Sequence, residues 1–273
     1  MLIPICYKDR FTICLFLAAC GDKKADNVQE DGTTKIVVGA SPAPHAEILE
    51  FVKPMLEEKG IELEIKEFTD YFLPNKALDS GDITANFFQH KPFLDEFNEK
   101  NKTELVSAGA IHFEPLGIYP GKANSVDALK DGDKIAVPND PTNEARALQL
   151  LASLDLIELE EGIGLQATPI NITKNPLNLG FQEIEAAQIP RIIGDVALGV
   201  VNGNYAISAG IDESVLTTED KTSEAAKEFA NIIAVKAENA ENEAVKALVE
   251  VLQSDEVKGF MEEHYGVTVI PVF

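Results

Sequence analysis

Asn143 and Arg146 stand three residues apart in DPTNEARALQLL, Asp140 to Leu151, where Pro141 and Thr142 open a helix and place both side chains on one face. A helix N-terminus offers free backbone N–H groups and the positive end of the peptide dipole. A guanidinium and an amide added there make a receptor for a carboxylate, best through a bidentate contact. The same spacing also suits an arginine left in solvent on a first turn. In ANFFQHKPF, Ala85 to Phe93, strand alternation puts Asn86, Phe88 and His90 on one face and Phe87 and Gln89 on the other. That face could line a pocket of mixed character, although Phe88 also fits plain core and His90 a hydrogen-bonded structural histidine. Tyr71, in FTDYFLPN, sits at a strand-to-helix turn, where a tyrosine either reaches a cleft or packs with its hydroxyl satisfied. Asn202 ends an apolar strand in VVNGNYA, and Asn231 begins NIIAVK. Either amide can accept from an ammonium and donate to a carboxylate. Asn202-Gly203 is equally a turn-forming pair.

Alternating strands and helices must carry these residues. Lys35–Gly39 is a short apolar strand, and His45–Lys59 an amphipathic helix with Ile48, Leu49, Val52, Met55 and Leu56 on one face, a kink at Pro54 and a stop at Gly60. Ile61–Phe68 alternates as a half-buried strand. This β-α-β opening argues for a parallel sheet with crossover helices. Helices near Leu73–Ser80 and Pro92–Lys100 flank a strand near Ile83–Gln89, and strands follow near Glu104–Ala110 and Leu116–Tyr119. A second unit opens with the strand at Lys134 and the helix Thr142–Leu154. Strands near Gln182–Glu185, Val196–Val201 and Asn231–Lys236 and two C-terminal helices complete it. Two such units predict two α/β lobes with a ligand cleft at the strand ends. The lobes are expected over 35–118, 119–203 and, returning to the first, 204–273, with hinges near Gly117–Lys122 and Asn202–Ser208.

The 273 residues include 46 acidic and 23 basic side chains, a net charge of −23, which disfavours nucleic acid and anionic membrane surfaces as direct partners. All three cysteines fall at positions 6, 14 and 20, so the folded body has neither a disulfide framework nor a thiolate metal site. Around them lie Lys8 and Arg10, a run from Phe11 to Ala19 that is apolar apart from Thr12, and small residues before Cys20, the layout of a signal peptide over 1–19. The run is too short to span a bilayer. Residues 20–34 are polar and read as a flexible tether.

Leu17-Ala18-Ala19-Cys20 resembles the lipobox of bacterial lipoproteins, in which the cysteine is acylated and becomes the new N-terminus. After it come DYFLPN, GDITANFFQHKPFLD, AVPNDPTNEARALQLL and VNGNYA, and in this order they resemble the methionine-binding lipoproteins of ABC importers, the MetQ/NlpA-like family. The likeness covers essentially Lys35 to the C-terminus and is most specific in FQHKP and PNDPTN. It implies a two-lobed periplasmic-binding-protein (type II-like) fold closing on a free amino acid. It implies further that Arg146 and Asn143 hold the ligand carboxylate, that Asn202 and Asn231 contact the polar groups on its α-carbon, and that Tyr71, Phe88 and His90 enclose its side chain. A thioether gains from sulfur–aromatic contact with Tyr71 and Phe88. His112 and Tyr119, near the first expected hinge, are weaker candidates. In HFEPLGIYPG, Glu114 stands where an uncharged residue is expected; facing the cleft, it would bind the ammonium and alter which ligand fits.

The expectation is therefore a monomeric, non-enzymatic receptor without cofactor or metal. It is lipid-anchored outside a cytoplasmic membrane through Cys20 and hands methionine, L or D, to an ABC importer's permease. The same fold could carry another small amino acid, a methionine-containing dipeptide, or a zinc ion held by His45, His90, His112 and Glu114. A surface-anchored hydrolase finds no GxSxG, no HExxH and no cysteine nucleophile beyond the leader. A purely structural or adhesive lipoprotein would have no saturable small-ligand site.

Overall fold

The computed structural model describes residues 29, 32–221 and 227–273. The targeting segment, Cys20 and most of the tether lie outside them. Strand β1 is Thr34–Ala40, α1 Glu47–Glu57, β2 Ile61–Glu67, α2 Leu73–Ser80, β3 Ala85–His90, α3 Lys91–Asn101 and β4 Leu105–Phe113. The chain continues with β5 Gly117–Pro120, β6 Lys134–Pro138, α4 Pro141–Ser153, β7 Glu158–Leu159, β8 Ile172–Lys174 and β9 Gly180–Ile184. It closes with α5 Ile189–Ile192, β10 Leu198–Val201, α6 Gly203–Ala209, β11 Thr217–Thr218, β12 Asn231–Lys236, α7 Glu243–Leu252, α8 Asp255–Tyr265 and β13 Ile270–Pro271.

Side-chain pattern explains the first lobe. Ile36 and Val38 of β1 are buried, and in β2 Ile61 and Leu63 turn inward while Glu62 and Glu64 face solvent. Ile48, Leu49, Val52 and Leu56 form one buried stripe on α1, each contributing about 1.5–3 kcal/mol by leaving water. Pro54 lies inside α1 without ending it, and Gly60, at φ 73°, supplies the left-handed turn into β2. The first sheet has the order β13-β4-β12-β3-β1-β2, with β1 parallel to β2 and β3, and β12 antiparallel between β3 and β4. The second sheet has the order β11-β5-β10-β6-β9 around its own core of Leu116, Ile118, Ile135, Val137, Leu148, Leu151 and Val200.

The lobes divide at other points than the sequence predicts. β5 already belongs to the second sheet at Gly117, and β11 pairs with β5, so the second lobe extends past 203 to Thr218. The stretches expected as hinges are the strand β5 and the helix α6. Instead, the chain crosses between lobes through 114–116, and it leaves the second sheet after β11 and rejoins the first at β12.

The topology brings functional positions to one place. The C-terminal end of β3, the residue after β10 and the start of β12 line one cavity, at the strand ends where open α/β sheets usually bind ligands. Register fixes Asn231 there, paired with His90 on one side and with His112 on the other.

Candidate functional site

Between the lobes lies a small cavity with a free volume of about 20 Å³, well below the ~300–1,000 Å³ range of small-molecule sites. Its lining includes all seven residues singled out from the sequence: Tyr71, Phe88, His90, Asn143, Arg146, Asn202 and Asn231. Gln89, Phe93, Glu114, Gly203 and Asn204 complete it.

The strand carrying Phe88 departs from simple alternation. Gln89 faces Ile232 and Phe87 faces Ile233, which leaves Phe88 as an extra, bulged residue. Phe88, Gln89 and His90 all reach the cavity as a result. Asn86, predicted to share a face with Phe88 and His90, turns instead to Asn75 and Gln89, with contacts of 2.9 Å to each.

On α4, Asp140 caps the helix by accepting from the Asn143 backbone N–H at 3.0 Å and from its side-chain amide at 2.8 Å. The capping carboxylate thereby covers part of the helix end that the sequence offered to a ligand. Asn143 Oδ1 is a hub: Arg146 Nη1 donates to it at 3.2 Å, Asn202 Nδ2 at 2.9 Å and His90 Nε2 at 3.1 Å. His90 Nδ1 accepts from the Phe93 N–H at 3.2 Å, so its proton sits on Nε2. Burial, helped by the charge of Arg146, pushes the His90 pKa down to about 3 and keeps the ring neutral.

Arg146 is buried, and its fork is already engaged. Nε and Nη2 donate to the two oxygens of Glu219 at 3.1 and 2.6 Å, and the guanidinium lies 4.3 Å over the Phe229 ring. The bidentate edge predicted for the ligand therefore belongs to Glu219, while Nη1 donates to Asn143. Glu219 and Phe229 carry no local sequence signal; only the fold brings them to Arg146. Opposite this polar end, Tyr71 packs against Phe88, Phe93 and Tyr205 at ring separations of 5.8, 5.7 and 4.8 Å. Tyr71 also ties the lobes together, its hydroxyl donating to Asn204 Oδ1 at 2.5 Å. Asn202 Oδ1 and Asn204 Nδ2 are buried without a partner among the described residues, one acceptor and one donor in the wall of the cavity.

Glu114 also faces the cavity. His112 Nε2 donates to its Oε1 at 2.8 Å, and His45 Nε2 lies 3.4 Å from the same oxygen and 3.0 Å from Asn231 Oδ1. Tyr119 is buried in the core of the second lobe and does not line the cavity. The ligand atoms of His45, His112 and Glu114 all lie within 4.8 Å of one another, while His90 stands apart on Asn143. Zinc fits this group poorly. Both Nε2 atoms face acceptors and so carry the protons, and both Nδ1 atoms are buried without a partner. A metal on Nε2 would move those protons to Nδ1, where nothing among the described residues accepts them.

Residues 36–273 match the family model described as NlpA lipoprotein. The chain belongs to the NlpA lipoprotein family. A lipoprotein from Ruminococcus gnavus described as putative is 51% identical, with a TM-score of 0.86 over 88% of this chain and 99% of its own. The D-methionine-binding lipoprotein MetQ of Salmonella typhimurium is 41% identical over 248 residues, 89% of this chain and 88% of MetQ. A nutrient-binding protein from Burkholderia cenocepacia, solved bound to methionine, is 40% identical with a TM-score of 0.83, over 87% of this chain and all of its own (100%). The two-lobed α/β fold of this NlpA-family chain is that of the periplasmic substrate-binding proteins of ABC transporters. Among the described residues, no helix is long and apolar enough to cross a membrane.

Proposed function

We propose that the protein captures methionine, L or D, in the interlobe cavity and delivers it to the membrane permease of an ABC importer. Acylated Cys20 would hold it, as a monomer, outside the cytoplasmic membrane, and it would carry out no chemistry on its cargo. The observation that carries this reading is the division of one small cavity into a charged, amide-rich end around Arg146 and Asn143 and an aromatic end around Tyr71 and Phe88. That division suits an amino acid with a long apolar side chain. The likeness to a methionine-bound neighbour and to MetQ supports the identity of the cargo. In such a receptor, closure of the lobes on ligand creates the surface that the permease recognises.

A wider groove of about 370 Å³ adjoins the cavity and shares Tyr71 and Phe93 with it. It gives a second reading some footing, a methionine-containing dipeptide whose other residue extends into the groove. Identification by mass of the ligand released on denaturing the freshly purified protein separates the two. Free methionine supports the first reading, a dipeptide the second, and a ligand without an amino-acid group removes both.

A further inference from the structure

We propose that Glu114, oriented by His45 and His112, is the counter-charge for the ligand's ammonium and makes the receptor select cargo with a free, protonated α-amine. This rests on the amino-acid cargo proposed above. The charges around the cavity lead to it. Arg146 is matched by Glu219. Glu114 is 7% exposed and faces the cavity, and among the described residues the side-chain nitrogens in contact with its carboxylate are those of imidazoles. Burial pushes the pKa of His45 down to about 4 and that of His112 down to about 3, so near neutral pH neither ring carries a charge. They orient the carboxylate without neutralising it.

The neighbouring groups make the same case. Asn202 Oδ1, the buried acceptor without a partner, lines the same cavity and supplies a second seat for an ammonium's three N–H donors. Between them stands Gly203, where a Cβ would fall 2.8 Å from Glu114 Oε2, so no side chain separates Glu114 from the α6 backbone. The Asn204 backbone N–H also donates to Glu114. An ammonium meeting neutral amides alone would leave most of its desolvation cost unmatched; a buried carboxylate supplies the opposite charge.

The test compares L-methionine, N-acetyl-methionine and the deaminated 4-(methylthio)butanoate by titration into wild type and Glu114→Gln. Wild type is expected to bind methionine about 30-fold or more tightly than either analogue, the scale of a truncated buried charge pair. In Glu114→Gln that preference should collapse, with methionine weakened and 4-(methylthio)butanoate left within about threefold of its wild-type affinity. A preference undiminished in Glu114→Gln overturns the inference, as does tight wild-type binding of N-acetyl-methionine. Should wild type instead take another amino acid, the methionine reading fails; rejection of that amino acid's N-acetyl form then supports the inference, and acceptance overturns it. A measurement on wild type alone covers a variant that does not fold. Burial raises the Glu114 pKa, against the pull of His45, the Asn204 N–H and Arg146, so protonation competes with the ammonium. Methionine affinity should fall on acidification toward and through the ordinary carboxylate value of 4.5, and an affinity unchanged by that acidification contradicts the assignment.

Discussion

Arg146 meets Glu219 edge-on, with Nε and Nη2 reaching the two carboxylate oxygens at 3.1 and 2.6 Å from 73 residues away in sequence. The pair settles how a cation can sit 3% exposed in the wall of the cavity. Removing one member of a buried pair leaves the other desolvated and unmatched. Glu219→Gln is therefore expected to cost about 2–3 kcal/mol of stability, below the fully buried range because Glu219 is partly exposed. Urea unfolding would show a lower midpoint at an unchanged slope. An unchanged midpoint would mean that Arg146 does not depend on this partner.

Tyr71 and Asn204 come from opposite lobes, and their 2.5 Å hydrogen bond closes the cavity on its aromatic side. Tyr71→Phe keeps the ring packing and loses that bond, worth about 1 kcal/mol. Ligand should leave about fivefold faster with little change in association. A chase of bound labelled methionine with excess unlabelled ligand measures it, and equal dissociation rates would remove Tyr71 as an interlobe latch.

The aromatic wall of Tyr71, Phe88 and Phe93 suits a thioether better than a methylene. Sulfur–aromatic contacts contribute about 0.3–1.5 kcal/mol, so methionine should outcompete norleucine by about 2–10-fold. Competition titration gives the ratio directly, and norleucine binding more tightly would argue against the aromatic end as the side-chain pocket.

Glu144, on α4, offers a check of the buried electrostatics away from the ligand. Burial, with Glu183 and Asp140 nearby, raises its pKa to about 7, and its Oε1 has no partner among the described residues. A raised carboxyl pKa contributes stability that is fully present below the unfolded value, near 4.5, and is lost as pH rises through 7. Glu144→Gln cannot ionise, so at pH 8 it should be more stable than wild type by about 1–2 kcal/mol, a gap that narrows on acidification and closes below pH 4.5. Parallel pH–unfolding curves for the two proteins would refute the assignment.

Periodicity and punctuation made much of the scaffold legible. Leu73–Ser80, between Phe72 and the left-handed Gly81, and Asn231–Lys236 match the predicted bounds. Helix α4 starts at Pro141, as proline at a first helical position implies. The seven predicted residues share one cavity because their elements end at the same sheet edges. The failures have physical reasons. Asn202–Ser208 reads locally as a hinge, yet α6 starts at Gly203, which passes close against Glu114, a residue far from it in sequence. Strand alternation misplaced Asn86 because the Phe88 bulge, set by pairing with β12, is a property of two strands rather than one. Glu219 and Phe229 were invisible as partners of Arg146 because nothing near them in sequence marks a long-range pair.

Calorimetric titration of L-methionine into protein unfolded and refolded to strip carried-over ligand, in wild type and Arg146→Ala, tests the central claim most directly. Saturable one-to-one binding in wild type, weakened about 30-fold or more in Arg146→Ala, is the predicted result. Binding that survives Arg146→Ala intact, or no heat from wild type with methionine or any other amino acid, would contradict it.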